Sequence, residues 1–269
     1  MHIEVRGRGP ALVLLHGWAM HSGIFAPLTA RLENCFTLYL VDLPGHGRSL
    51  HSPVPLQLEA VAAAIASRVP RARWLGWSLG GLVALHAAQT RPEVVSGLVM
   101  VCASPRFVRC QDWPGGSDPL VFERFGHELA RDYRGTIDRF VMLEAQGSDH
   151  AREEIRLLRD QVFAHGEASP AHLLQGLALL QDSDLRAGLW TLATPALWLA
   201  GRRDRLVSPQ ALRAAAALTP HATFAQIHGG GHAPFLTHAD ETAQAIIEFS
   251  ERSPAGIRSD SLPTTGTGH

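Results

Sequence analysis

One hexapeptide, Gly76-Trp77-Ser78-Leu79-Gly80-Gly81, constrains this chain more than any other stretch. Arg73-Trp74-Leu75 before it reads as the end of a short buried strand. The apolar run from Leu79 to Gln89 after it reads as a buried helix. A serine at such a junction sits on a tight, strained turn, and its hydroxyl projects from the top of a sheet. Glycines flank it because a Cβ would collide with the neighbouring strand or helix. The pattern predicts a nucleophile; the plain alternative is a strand-to-helix turn without chemistry.

The rest of the chain fits that frame. Ala11 to Leu15, Thr37 to Val41 and Val94 to Val101 are short apolar runs of the kind that form buried parallel strands, and Leu56 to Val69 is helix-like. The alternation returns with Ala196 to Ala200 and Thr223 to Ile227 as strands, and Pro209 to Leu218 and Asp240 to Glu251 as helices. Such alternation predicts an α/β fold, a mainly parallel sheet flanked by helices. Between residues 105 and 190 no strand pattern is visible. Leu120 to Tyr133, Thr136 to Ala145 and Ala151 to Phe163 are helix-like, and Ile155, Leu158 and Val162, then Leu173, Leu177 and Leu180, recur at helical spacing. We read 1–104 and 191–252 as two parts of one core and 105–190 as an inserted helical cap. Residues 253–269, rich in Ser, Pro, Gly and Thr, read as a disordered tail.

Composition removes several function classes. A formal net charge of -1 provides no global attraction to nucleic acid or a membrane surface, and the 24 basic side chains are all arginine. Cys35, Cys102 and Cys110 are odd in number and lack metal-binding spacing, so neither a disulfide framework nor a zinc centre is expected. The first residues contain no apolar signal core, and no run is long enough for a membrane span. The expectation is a cytoplasmic protein without membrane, nucleic-acid, metal or cofactor partners.

A serine hydroxyl needs a base, and the base needs a partner that fixes its tautomer. Asp204 follows the run Ala196 to Ala200, which places it at the carboxyl edge of the sheet. Its plain alternative is a cap for the helix at Pro209, a task that suits Ser208 better. His232 lies in Gly229-Gly230-Gly231-His232-Ala233-Pro234-Phe235, where a glycine run lets the chain turn the imidazole toward the serine; His228 is its nearest competitor. The order Ser78, Asp204, His232 suits this fold. The backbone N–H groups of Leu79 and Trp18 are the oxyanion-hole candidates, with the Trp18 indole walling the pocket. His16 reads as a buried shaper of that loop. Asp42 to Ser49 contains Gly-x-Gly but lacks the third glycine of a dinucleotide site, and reads as a structural turn.

With His16-Gly17-Trp18, Asp42-Leu43-Pro44-Gly45-His46-Gly47-Arg48-Ser49, the serine hexapeptide, Asp204 and Gly231-His232-Ala233-Pro234-Phe235 in order, the chain resembles the α/β-hydrolase superfamily over nearly its whole length. Further segments are similar to the pimeloyl-[acyl-carrier protein] methyl ester esterase family of biotin synthesis. They are Leu14-Leu15-His16-Gly17-Trp18, Val41-Asp42-Leu43-Pro44-Gly45, Trp74 to Ala84, Ala103-Ser104-Pro105, Asp112-Trp113-Pro114-Gly115 and Asp138-Arg139-Phe140. The resemblance implies a monomeric serine carboxylesterase that removes a methyl ester as methanol and spares the thioester joining the acyl chain to its acidic carrier protein. It places Trp18, Ser78, Leu79, Phe140, Val141, Met142, Leu143, Glu144 and His232 against substrate. Glu144 stands where relatives are expected to carry a neutral amide. It also places Arg139, Arg152 and Arg156 against the carrier, while another basic position falls on Gly135, beside Arg134. Acidic residues outnumber arginines in 105–190, so a solvated, salt-bridged helix face is the alternative for those arginines. Rival readings are a general carboxylesterase acting on small esters, a lactonase, a carbon–carbon bond hydrolase, or a non-catalytic hydrolase-fold binding protein. Dehalogenases and epoxide hydrolases carry an aspartate at the elbow, where this chain has Ser78.

Overall fold

The computed structural model describes residues 1–252; the proposed tail, 253–269, lies outside the described residues. In chain order the first half comprises β1 (Ile3–Gly7), β2 (Ala11–Leu15), α1 (Ala26–Leu32), β3 (Thr37–Val41), α2 (Leu58–Ala66), β4 (Ala72–Trp77), α3 (Leu79–Thr90) and β5 (Val95–Val101). Four helices follow: α4 (Pro119–Leu129), α5 (Tyr133–Glu144), α6 (Ala151–Val162) and α7 (Pro170–Asp182). The sheet then resumes with β6 (Ala196–Gly201), α8 (Pro209–Leu218), β7 (Ala222–Ile227), α9 (Pro234–Thr237) and α10 (Ala239–Arg252).

The strands form one sheet in the order β1-β3-β2-β4-β5-β6-β7. Only β1 runs antiparallel, beside β3; the other pairs are parallel. Strands β4, β5 and β6 are buried along their whole length because helices cover both faces, which is why they read as continuous apolar runs. The α/β class with a helical cap over a mainly parallel sheet is borne out. Among the described residues no helix is long and apolar enough to cross a membrane.

The differences from the sequence reading have local causes. Strand β1 was not anticipated: it is an edge strand with exposed Val5 and Arg6, so it carries no apolar run. Helix α1 was missed as well; it is only seven residues long and has proline near its start. The helix expected over Leu120 to Tyr133 stops at Leu129. Asp132 takes the Gly135 N–H on its side chain at 3.0 Å and starts α5 instead.

The topology brings the carboxyl ends of β2, β4, β5, β6 and β7 to one edge. At the end of β4 the chain reverses sharply into α3. The reversal needs glycine at position 76, because a Cβ there would sit inside the Gly80 and Gly81 backbone. Replacing Gly76 by alanine is expected to destabilise the fold by about 3 kcal/mol, since rigid main chain is the obstacle. Denaturant unfolding, compared with an alanine placed at Gly126 of α4, where a Cβ would meet only Leu177 Cδ1 at 3.9 Å, checks that the loss is specific to the elbow.

Candidate active site

Ser78 occupies the turn between β4 and α3 with φ 52 and ψ -120, a left-handed conformation that costs a non-glycine residue strain. Its N–H donates to the Val101 carbonyl at 3.2 Å, and its carbonyl accepts from the Gly81 N–H at 2.9 Å. The side chain is buried, yet Oγ has no hydrogen-bond partner among the described residues. Leu79 is the first residue of α3, so its N–H has no intrahelical acceptor and points out of the helix N-terminus.

Asp204 and His232 come together from two different strand ends. His232 Nδ1 lies 2.8 Å from Asp204 Oδ2, and both side chains are buried. The other carboxylate oxygen, Oδ1, accepts the N–H groups of Leu206 and Val207 at 2.8 and 2.9 Å. A carboxylate so placed accepts only, so the imidazole proton sits on Nδ1 and Nε2 presents a lone pair. That Nε2 is buried without a partner among the described residues, like Ser78 Oγ. The cap role at α8 belongs to Ser208, whose side chain accepts from the Gln210 N–H. His228 is turned outward, its Nδ1 lying 3.2 Å from the exposed Arg202 guanidinium.

What seats His232 beside the elbow is a residue that sequence reasoning passed over. The Trp77 indole N–H donates to the His232 carbonyl at 2.8 Å, joining the residue before the serine to the histidine. The imidazole also stands 5.7 Å, centroid to centroid, from the Trp77 ring. Cys102 was missed too. It lies buried near the acid with its backbone at φ 45, and its Sγ accepts from the Gly201 N–H at 3.3 Å. Burial, followed by the Asp204 charge, pushes the thiol well above its ordinary range and keeps it protonated. No local pattern marks either residue; each acts across more than ninety positions of chain.

The loop after β2 lies beside the serine: a Cβ on Gly17 would stand 3.2 Å from the Ser78 Cβ. His16 shapes this loop. Its Nε2 accepts the Leu43 N–H at 2.9 Å, which leaves Nδ1 to donate to the Gly17 carbonyl at 2.8 Å. Burial, with His46 adding to it, pushes the His16 pKa down to about 3, so the ring is neutral with both nitrogens engaged. The stretch from Asp42 to Ser49 is the structural turn expected: the Asp42 carboxylate accepts the N–H groups of Ser22 and Arg48 at 2.8 and 2.9 Å.

Trp18 is fully buried and ties this loop to the cap. Its indole N–H donates to the Leu173 carbonyl of α7 at 2.8 Å, and its ring meets Phe140 of α5 edge-on at 4.6 Å. Helix α7 lies so close that a Cβ on Gly176 would stand 2.8 Å from Trp18 Cδ1 and 3.2 Å from Leu79 Cδ2. The run Phe140 to Glu144 does not share one face, contrary to the expectation that all five line the substrate chain. Five consecutive helical residues turn through more than a full circle. Phe140, Val141 and Glu144 point inward, whereas Met142 is 51% exposed and, with Leu143, borders an outer groove beside Arg139 and Ile155.

The cap arginines are largely engaged. Arg139 lies between Glu128 and Asp132 at 2.9 and 3.1 Å, Arg156 faces Asp160 at 3.4 Å, and Arg159 meets Asp138 at 2.6 Å. Arg134 pairs with Glu167 at 2.7 Å. Arg152 is exposed and forms no ion pair among the described residues.

Glu144 is the unusual member. Its carbonyl accepts the His232 N–H at 3.3 Å, while both carboxyl oxygens are buried without a partner among the described residues. Burial, then the charges of Asp204 and Glu154, raises its pKa well above the ordinary 4.5. A carboxyl raised in the folded state loses stability for the protein as pH climbs from the unfolded value toward the folded one. Glu144→Gln removes that term, so its melting temperature is expected to gain on wild type from pH 5 upward and to match it near pH 4. A difference independent of pH would mean that folding does not raise the Glu144 pKa.

The model of the alpha/beta hydrolase fold family matches residues 10–239. The pimeloyl-[acyl-carrier protein] methyl ester esterase of Stenotrophomonas maltophilia (strain K279a) is 57% identical over 256 residues, 95% of this chain and 98% of that protein. The protein of that name from Xanthomonas campestris pv. campestris (strain B100) is 57% identical over 94% of this chain and all of its own length. Among solved structures, an esterase from Exiguobacterium antarcticum superposes with a TM-score of 0.81 at 22% identity, covering 93% of this chain and 95% of its own. The enol-lactonase of Burkholderia xenovorans LB400 gives 0.80 at 19% identity, covering 93% and 96%; at these identities the likeness concerns the fold.

Proposed function

The chain belongs to the alpha/beta hydrolase fold family and, within it, to the pimeloyl-[acyl-carrier protein] methyl ester esterases, and from that membership we propose how it works. It is a carboxylic ester hydrolase of biotin synthesis that converts the methyl ester of pimeloyl-[acyl-carrier protein] to the free acid and methanol. We assign Ser78 as nucleophile, His232 as general base and acid, and Asp204 as the group that holds the imidazole.

In this reading His232 Nε2 takes the proton as Ser78 Oγ attacks the ester carbonyl. The N–H groups of Leu79 and Trp18 receive the oxygen's charge. Asp204 stabilises the imidazolium through the Nδ1 contact without taking its proton. Collapse of the intermediate expels methoxide, which leaves as methanol with the proton from His232. Water, deprotonated by the same nitrogen, then cleaves the acyl-enzyme and returns the proton to Ser78. The observation that carries the assignment is the link from Asp204 through His232 to Trp77, which delivers the imidazole to the residue adjoining Ser78.

The choice of methyl ester over thioester is assigned to reach. The chain's far end meets Ser78 under Trp18 and Phe140 while the thioester stays at the mouth. Carrier docking is assigned to the exposed Arg152 and Arg156 on α6, with Arg139 on α5 contributing from within its ion pairs.

Ser78→Ala is expected to lower kcat/KM for the carrier-bound methyl ester by about 10³-fold or more. Turnover equal to wild type would sink the assignment. Reversing Arg152 and Arg156 to Glu is expected to raise KM for the carrier-bound substrate several-fold and to leave a small p-nitrophenyl ester untouched. Equal loss on both substrates would place those arginines in folding instead of docking.

A further inference from the structure

On the far side of the His232 loop, three metal-ligating side chains from two parts of the chain converge. Asp149 and His150 precede α6 of the cap, and His238 follows α9 of the core. Their ligand atoms all lie within 4.8 Å of one another. His238 Nε2 stands 3.4 Å and His150 Nε2 3.8 Å from Asp149 Oδ1. Both separations exceed a normal hydrogen bond. They match donors sharing one ion, because bonds of about 2.0–2.1 Å put tetrahedral ligand atoms about 3.4 Å apart.

The surroundings fix the chemistry of the site. Thr237 Oγ1 donates to Glu154 Oε1 at 2.8 Å, and Ser148 Oγ donates to that same oxygen at 2.7 Å. Its single proton being committed, Thr237 Oγ1 accepts from His238 Nδ1 at 3.0 Å. With Nδ1 engaged by the threonine, Nε2 is the ring's remaining ligand atom, and it faces Asp149 Oδ1 across 3.4 Å. A hydroxyl backed by a buried carboxyl, holding the second nitrogen of a histidine, is also how proteins orient metal-binding imidazoles. The His150 ring meets the His238 ring edge-on at 5.4 Å, and its Nδ1 lies 3.9 Å from Glu153. Arg202 and Arg203 border the adjoining recess with Asp149 and His228, so nearby positive charge tempers affinity. Arg202 already occupies His228 Nδ1, which keeps that ring out of the donor set.

We infer that Asp149, His150 and His238 form a binding site for a borderline divalent cation of the zinc class. Two imidazoles and one carboxylate favour zinc, cobalt or nickel over magnesium or calcium. The half-exposed His150 leaves one position of the ion open to water. Bound there, the ion fastens the start of α6 to the segment that carries His232, alongside the Asp149 N–H to Gly229 carbonyl contact at 3.3 Å. The site takes no part in ester cleavage; it clamps cap to core.

The test titrates the chelator-treated full chain with zinc chloride against a chromophoric chelator, and with cobalt(II) chloride to read its visible spectrum. Wild type is expected to bind one zinc ion more than the His150→Ala/His238→Ala double variant and to show tetrahedral cobalt bands that the variant lacks. His150→Ala alone, an exposed substitution that leaves packing intact, is expected to weaken zinc at least tenfold. Zinc is expected to raise the melting temperature of wild type, to raise that of His150→Ala less at the same zinc concentration, and to leave that of the double variant unchanged. Turnover of a p-nitrophenyl ester reports that each variant is folded. Equal stoichiometry and affinity in wild type and folded variants would overturn the site, as would identical cobalt spectra.

Discussion

The left-handed backbone of Ser78 is the constraint on which the rest of this structure depends. Such a residue carries about 1–3 kcal/mol of strain and persists only where its surroundings over-determine it. Here the sheet supplies the restraint. The Ser78 N–H is held by the Val101 carbonyl of the neighbouring strand, and α3 is drawn against β4 through glycines that admit no side chain. The serine therefore stays proud of the sheet edge when nothing is bound. Trp77 extends that rigidity outward: its indole reaches a carbonyl in the last loop of the core and fixes the histidine in relation to the elbow.

Much of this was legible in the sequence because burial on both sheet faces writes itself as unbroken apolar runs. Strands β2 and β3 and helix α8 have the bounds their runs predict. The exposed edge strand β1 writes no such run, and α1 is too short to show a period. The site divides in the same way. Ser78, Asp204 and His232 stand in distinctive local contexts of glycine and strand ends. Trp77 and Cys102 do not, since what matters about them is a contact with a distant loop. In the cap, helical period announced helices but not their rotation; only packing decides that Phe140 faces Trp18 while Met142 faces outward.

Charge in the cap illustrates why counting residues misleads. The arginines of α5 and α6 look like a basic face, yet Arg139 and Arg159 each meet carboxylates from neighbouring turns or helices. These pairs are partly exposed, and each contributes little to stability. Their effect is to hold long side chains in place and to cancel their field at a distance. Of the α5 and α6 arginines, only Arg152 forms no ion pair among the described residues, and Arg156 is loosely paired. On the proposed reading, docking there selects by position more than by net attraction.

Beneath those arginines the cap meets the loop that carries His232 through buried groups. Glu144 gives its carbonyl to the His232 N–H, and Glu154 collects the hydroxyls of Ser148 and Thr237. Burial raises the pKa of both carboxyls, yet only Glu154 bonds the core through its carboxyl; Glu144 does so through its backbone carbonyl, so buried hydrogen bonds hold this joint. Bonds of that type are insensitive to salt, and leaving any of their partners unmatched costs about 1–3 kcal/mol. The cap therefore cannot shift at this joint without also releasing the loop that carries His232. On the other side of the cap, α7 is held to the core by the Trp18 indole bond to Leu173, the Ser169 N–H to Gly45 carbonyl contact and the bare backbone of Gly176 against Trp18 and Leu79.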